Sequence, residues 1–128
     1  MNKFLVFSIV VFVLISCQSQ GAISVNELLN KRDKYNDNQV TVKGFFGFDT
    51  IYSNRNDYDN FGDDFLFVLI KGEGNEQFFT ECTEQEAILT GTFRKGKTDG
   101  GIRNYLLHII EFRPVDPPKI NCLKLLEY

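Results

Sequence analysis

Two stretches with one shared pattern decide the fold class: Gln39-Val40-Thr41-Val42-Lys43-Gly44 and Ala87-Ile88-Leu89-Thr90-Gly91-Thr92-Phe93. In each stretch, every second residue is apolar or glycine, which is the period of a β-strand with one buried face. Glycines inside strands are typical of bends, bulges and close backbone contacts. The pattern therefore predicts two curved strands.

The chain after residue 38 predicts further strands. We expect strands at residues 39–48, 65–71, 77–82, 87–95 and 103–113, with a hairpin turn at residues 98–101 (Thr-Asp-Gly-Gly). Residues 65–70 form a continuous apolar run, which is typical of a strand buried on both faces. Five strands of this length, curved by glycine, suit a small closed barrel.

A short helix is predicted before the first strand. Ser24 and Glu27 have the spacing of a capping box, and Ile23 and Leu28 have that of a hydrophobic staple. The turn-forming residues 36–38 (Asn-Asp-Asn) end this helical segment. The helix should dock on the barrel by a narrow apolar stripe.

Residues 24–115 resemble an OB-fold, in which a helix leads into a first strand that reads V-x-V-x-G and a later strand repeats the rhythm. The resemblance implies a mainly β fold: a small five-stranded OB-like barrel with one short N-terminal helix. An SH3-like barrel or a small sandwich is the alternative fold. The 128 residues suffice for one domain, which we expect at residues 23–128 with a C-terminal tail.

The N-terminus predicts export. Residues 1–16 contain Lys3 and a twelve-residue apolar run, which has signal-peptide length and is too short for a transmembrane helix. Leu14-Ile15-Ser16-Cys17 resembles the lipobox of bacterial lipoproteins. The resemblance implies cleavage before Cys17 and lipid on its sulfur, with residues 17–22 as a tether. The expected location is the bacterial cell membrane or outer membrane, on its extracytoplasmic side; an ordinary secretory signal is the alternative.

The other two cysteines, Cys82 and Cys122, are expected to form a disulfide in an oxidising exported compartment, with two buried free thiols as the alternative. His108 is the single histidine, and no cysteine pair has ligand spacing, so no zinc site and no cofactor are predicted. On the fifth predicted strand His108 shares a face with apolar residues. We therefore expect it to be a partly buried packing residue rather than a catalytic base.

The segment at residues 49–64 is acidic, with five aspartates against Arg55. Residues 57–62 (Asp-Tyr-Asp-Asn-Phe-Gly) resemble the front of a calcium loop, but Phe61 stands where a polar ligand is needed and Val68 replaces the closing glutamate. We expect a solvated loop. A hydrolase that uses Asp57 and Asp59 with Arg55 is the enzymatic alternative.

Charge of the opposite sign gathers at the predicted last hairpin, and the acidic loop carries aromatic residues. In OB-folds these two loops and the second and third strands frame the ligand face. The sequence predicts a candidate binding surface of Tyr52, Tyr58, Phe61, Lys95, Lys97 and Arg103. Stacking rings could come from residues 65–67 and 78–79.

Composition limits the class of function. Hydrophobic residues at 43% and charged residues at 24% are ordinary for a globular protein, and they exclude a disordered, collagen-like or multi-span membrane chain. The net charge of −3 argues against nucleic acid as the partner. We expect a lipid-anchored envelope module without catalytic activity that binds a protein or a small molecule. A structural or assembly lipoprotein of an envelope complex is the alternative.

Overall fold

A computed structural model describes residues 21–96 and 103–127. The predicted lipid-bearing Cys17, residue Lys97 and the predicted turn at residues 98–101 lie outside the described residues. Helices α1 (Val25–Asn30) and α2 (Arg32–Tyr35) open the fold, and the side chain of Ser24 accepts a hydrogen bond from the Glu27 amide, as predicted. A two-residue strand, Ile23–Ser24, runs parallel to the first barrel strand.

Five strands close into a mixed barrel: β1 (Gln39–Phe46), β2 (Thr50–Tyr52), β3 (Phe65–Val68), β4 (Gln85–Arg94) and β5 (Tyr105–Pro114). The order around the barrel is β1-β2-β3-β5-β4, and β4 pairs back with β1. Only the β3–β5 neighbours are parallel among the barrel pairings. This is the closed five-stranded OB-like barrel that the sequence predicts.

The interior of the barrel is filled by one face of each strand. Fully buried residues include Phe46, Ile51, Leu66, Leu89 and Leu106. The glycine of the first motif is required by close packing, since a Cβ at Gly44 would overlap the carbonyl oxygen of Tyr52. The two motifs are therefore neighbouring barrel strands, with Gly44 opposite Ala87 in the β1–β4 register.

The predicted strand at residues 77–82 is wrong, because this segment is helix α4 (Glu76–Cys82). The Asn75 side chain caps it by accepting a hydrogen bond from the Phe78 amide at 2.8 Å. Phe78 and Cys82 lie four residues apart and form its buried face, which is a helical spacing. The structure therefore contains short helices beyond the predicted N-terminal one.

The missing fifth strand is β2, which lies inside the segment predicted as an acidic loop. Helix α3 (Arg55–Asp59) follows it in the same segment. The strand at residues 65–71 is shorter than predicted, and β3 alternates: Leu66 and Val68 are buried, whereas Phe65 and Phe67 are half-buried. The expectation of a strand buried on both faces is therefore wrong.

Strand β5 contains a bulge opposite Gly91. Thr90 pairs with Glu111 and Thr92 with Leu107, so β5 carries two more residues than β4 between these pairs. His108 lies in the bulge with a φ of 50°, and its side chain is exposed. The expectation that His108 is a partly buried packing residue is wrong, because the bulge breaks the alternation on which it depended.

The C-terminal segment is fastened to α4. The sulfurs of Cys82 and Cys122 lie 2.09 Å apart, at disulfide distance, as predicted. Cys122 begins a short 3₁₀ helix, Cys122–Leu125, and the following two-residue strand, Leu126–Glu127, pairs with Glu73–Gly74. The tail thus closes over the chain between β3 and α4.

Candidate binding face on the outside of the barrel

An unbroken series of aromatic side chains follows the outer face of strands β1, β2, β3 and β5. The neighbours on each strand face the core, so alternation turns these rings outward. The register pairs Phe45 with Tyr52, Tyr52 with Phe65, and Phe67 with Tyr105. Together with Tyr58 from α3, they form what we call the aromatic row: Phe45, Tyr52, Tyr58, Phe65, Phe67 and Tyr105.

Each ring of the aromatic row contacts the next. Ring centroids are 5.0 Å apart for Phe45–Tyr58, 5.6 Å for Tyr58–Tyr52 and 5.2 Å for Tyr52–Phe65. The series continues from Phe65 to Phe67 at 5.2 Å and to Tyr105 at 5.7 Å. These separations lie in the range of favourable aromatic pairs. The row is therefore a continuous, mutually packed surface.

The two ends of the aromatic row differ in exposure. Phe45 and Tyr52 are only 6% and 9% exposed, since Tyr58 covers them. Phe65, Phe67 and Tyr105 are half-buried and keep part of each ring in contact with solvent. The row thus has a buried support at β1 and β2 and an accessible platform at β3 and β5.

Helix α3 fixes Tyr58 over the buried end. The Asn54 side chain caps α3 by accepting a hydrogen bond from the Asp57 amide at 2.8 Å. The Tyr58 hydroxyl donates to Glu84 Oε1 at 3.1 Å, and a Cβ at Gly47 would lie 2.7 Å from the Tyr58 ring. Burial, and then the hydrogen bond to the Glu84 carboxylate, raises the pKa of Tyr58 above its ordinary value.

Three of the six residues predicted as the binding surface come together here. Tyr52 and Tyr58 are members of the aromatic row, although Tyr52 lies on a strand rather than on the expected loop. Arg103 lies with its guanidinium carbon 5.9 Å from the Phe67 ring centroid, which is a cation–π geometry. The open platform therefore carries a positive charge at its edge.

The other three residues have different surroundings. The Lys95 ammonium binds the Asp33 carboxylate on α2 and holds the pKa of Asp33 below its ordinary value, first by hydrogen bonding and then by charge. Phe61 follows α3, and its side chain is 86% exposed. Lys97 lies outside the described residues. The structure thus brings together only part of the predicted surface, and it pairs Lys95 with Asp33 of α2 instead.

Tyr105 is the ring that sequence reasoning missed. It stands at the start of β5, and the parallel pairing with β3 sets it beside Phe67. Of the predicted stacking rings, Phe65 and Phe67 belong to the aromatic row, whereas Phe78 is 3% exposed and belongs to the core. The position of Tyr105, two residues after the predicted surface residue Arg103, was the signal available in the sequence. Only the β3–β5 register shows that Tyr105 lies beside Phe67.

The acidic segment does not converge on one point. Asp57 and Asp59 lie two residues apart on α3, so their side chains leave the helix in different directions. Arg55 faces Asp59 with a nitrogen–oxygen distance of 3.6 Å. Within residues 21–96 and 103–127, no three His, Cys, Asp or Glu side chains are grouped so that they could hold a metal ion.

Two buried polar atoms flank the aromatic row. Ser53 Oγ and Asn104 Oδ1 have no hydrogen-bond partner among the described residues. Ser53 directly follows Tyr52, and Asn104 directly precedes Tyr105 and is 8% exposed. The backbone oxygen of Asn104 accepts a hydrogen bond from the Phe67 amide at 2.9 Å, so this residue is fixed beside the open platform.

The chain was compared with protein-family models, curated proteins and solved structures. None of them matches. In the part of the chain that the structure describes, no helix has the length and apolar character needed to span a membrane. The geometry of the aromatic row is therefore the observation from which a function can be argued.

Proposed function

We propose that this protein is a lipid-anchored, non-catalytic binding module of the bacterial cell envelope, whose partner contacts the aromatic row. The single observation that carries the proposal is the outward series of six packed rings, four of which (Tyr58, Phe65, Phe67 and Tyr105) stay partly open to solvent. The anchor is the lipid that the lipobox resemblance implies on Cys17.

Core packing does not account for the open end of the row. The barrel interior is already filled by Phe46, Leu66, Leu106 and their neighbours on the opposite face of the strands. Phe65 and Phe67 leave ring surface in water, which costs free energy unless a partner covers it. Aromatic residues and arginine are the residues enriched in the cores of protein interfaces. The platform with Arg103 has that composition.

The location on the barrel supports the same proposal. OB barrels bind ligands on the face of the second and third strands, between the loop after the first strand and the loop before the last. Tyr52, Phe65 and Phe67 lie on these two strands, and Arg103 belongs to the loop before the last strand. The aromatic row therefore occupies the surface that this fold uses for recognition.

The tether limits where the partner can be. Six residues, 17–22, reach at most about 20 Å when fully extended. A lipid on Cys17 would thus keep the barrel close to the bilayer surface. The partner we expect is an envelope protein or a small molecule that reaches the platform there, and nucleic acid is not expected.

Photocrosslinking in the native bacterium tests the platform. A photoreactive phenylalanine at position 67 should capture a specific partner, and the same residue at position 88, half-buried on the outer face of β4, is the matched control. Arg103→Glu should remove the adduct, because it reverses the charge at the edge of the row. Equal adducts at both positions, or adducts at position 67 that survive Arg103→Glu, would contradict the proposal.

The mass of the captured species separates the two functions that remain open. A single large protein favours a structural or assembly role in an envelope complex. A small-molecule adduct favours ligand binding.

A further inference from the structure

A second concave surface adjoins the β3–β5 end of the aromatic row, where β3 and β5 diverge. Their parallel pairing ends at Val68 and Leu106, and the chain at residues 69–71 then passes beside the bulge of β5. The gap is a pocket of about 420 Å³. Three segments line it: residues 69–71, residues 107–110 and Leu123 of the 3₁₀ helix.

One residue that lines the pocket, His108, has a strained backbone conformation. His108 adopts a φ of 50°, a left-handed conformation that costs a non-glycine residue free energy. The bulge leaves Ile110 at 62% exposure beside the pocket, and Leu69 on the facing segment is 53% exposed. Large apolar side chains kept in water around a cavity, on a strained turn, are features of a binding site rather than of a packed surface.

The lining has a clear division of chemistry. Its walls are aliphatic, and its polar side chains are those of Lys71 and His108, both exposed and both basic in type. None of the described residues that line the pocket is acidic. A pocket of this size falls in the range of small-molecule sites, roughly 300–1,000 Å³. The complementary ligand is apolar over most of its length and carries one negative charge.

We propose that this pocket binds a free single-chain amphiphile with an anionic head group, such as a fatty acid. The alkyl chain lies between Leu69, Ile110 and Leu123, and the carboxylate accepts hydrogen bonds from Lys71 and His108 at the rim. None of the lining residues is a member of the aromatic row, but Leu69 and Leu107 each follow a row residue, Phe67 or Tyr105, by two positions, so the two sites are neighbours. Binding in the pocket does not require the partner that contacts the row.

The disulfide fixes the position of one residue that lines the pocket. Cys122 is bonded to Cys82 of α4, and Leu123 is the next residue, so the bond holds one wall in position. We therefore expect the affinity for the amphiphile to fall when the disulfide is reduced, in addition to any loss of stability.

The test is photolabelling of the full chain in membranes with a dodecanoate that carries a diazirine at its chain end, used below its micellar concentration. We expect saturable adducts on peptides containing residues 69–71, 107–110 and Leu123. Unlabelled dodecanoate should compete and dodecanol should compete poorly, since it lacks the charge. Lys71→Gln should weaken competition by dodecanoate about tenfold, the loss of one charge-assisted hydrogen bond.

Two variants separate binding from folding. Ile110→Glu should abolish labelling, because it adds a negative charge at the mouth of the pocket, and the exposed Phe61→Glu is the matched control. His108→Gly should weaken dodecanoate binding without loss of thermal stability, since glycine adopts a φ of 50° freely. A fall in the melting temperature of His108→Gly would show that the histidine serves the fold, and would count against the proposal.

Other occupants give distinguishable results. Labelling that spreads over the chain and falls equally in Phe61→Glu would mean unspecific partition at the membrane, and would overturn the proposal. Concentration-dependent dimerisation that Ile110→Glu abolishes, together with no competition by dodecanoate, would show that a second copy of the chain fills the pocket. That result would also overturn it.

Discussion

Removing the disulfide is the perturbation whose magnitude follows most directly from the structure. Cys82 and Cys122 are both fully buried, and their bond closes a loop with a sequence separation of 40 residues. The chain entropy that such a cross-link removes from the unfolded state corresponds to about 4 kcal/mol at 25 °C. For a domain of about a hundred residues, that predicts a fall in melting temperature of about 15–30 °C.

The assay is thermal unfolding by circular dichroism of the wild type and of Cys82→Ala/Cys122→Ala, each with and without reductant. Alanine is chosen because serine would bury a hydroxyl at both positions. Reductant should bring the wild type close to the double variant and should leave the double variant unchanged, which is the internal control. A double variant that melts within about 3 °C of the wild type would refute the reasoning.

The remaining predictions concern the barrel and the support of the aromatic row. Gly44→Ala should destabilise the protein by about 1–3 kcal/mol in chemical denaturation, because its Cβ overlaps the Tyr52 carbonyl oxygen; an unchanged midpoint would contradict this. Asn75→Ala should cost about 1 kcal/mol in the same assay through loss of the α4 cap, and Asn75→Asp should retain the stability. Because the pKa of Tyr58 is raised on folding, its contribution is complete below about pH 10 and is lost as the pH rises through the folded pKa. Tyr58→Phe should therefore lose less stability than the wild type between pH 9 and 11, and identical pH profiles would contradict a raised pKa of Tyr58 in the folded protein.

Local signals in the sequence predicted the beginning of the fold well. The Ser24 cap, the helix after it and the strands at both glycine motifs follow from spacing alone, because each depends on neighbours within a few residues. The disulfide distance also agrees with the prediction, since two cysteines were left for pairing once Cys17 was assigned to lipid.

Helix α4 shows why the aromatic segment was misread. Phe78, Phe79 and Thr80 are strand-favouring residues, and a short apolar run cannot separate strand from helix by period. The Asn75 cap and the spacing of Phe78 and Cys82 carried the correct signal. Tertiary packing of that face against the core decided the outcome.

The aromatic row could be predicted only in part. Strand β2 has three residues, too few for a period, and it forms because β1 and β3 supply partners on both sides. The contact between Phe67 and Tyr105 depends on a parallel register between segments far apart in the chain. The bulge at His108 depends equally on pairing with β4. Such contacts are set by long-range pairing, which local pattern does not encode.

Attachment of a lipid to Cys17 is the claim on which the proposed envelope role depends most. The most direct measurement is the intact mass of the mature chain, purified from the membranes of the cells that produce it naturally. We predict a chain that begins at Cys17 and carries the added mass of a diacylglyceryl group on the sulfur. A chain that retains residues 1–16, or one whose Cys17 thiol is unmodified, would contradict the proposed role.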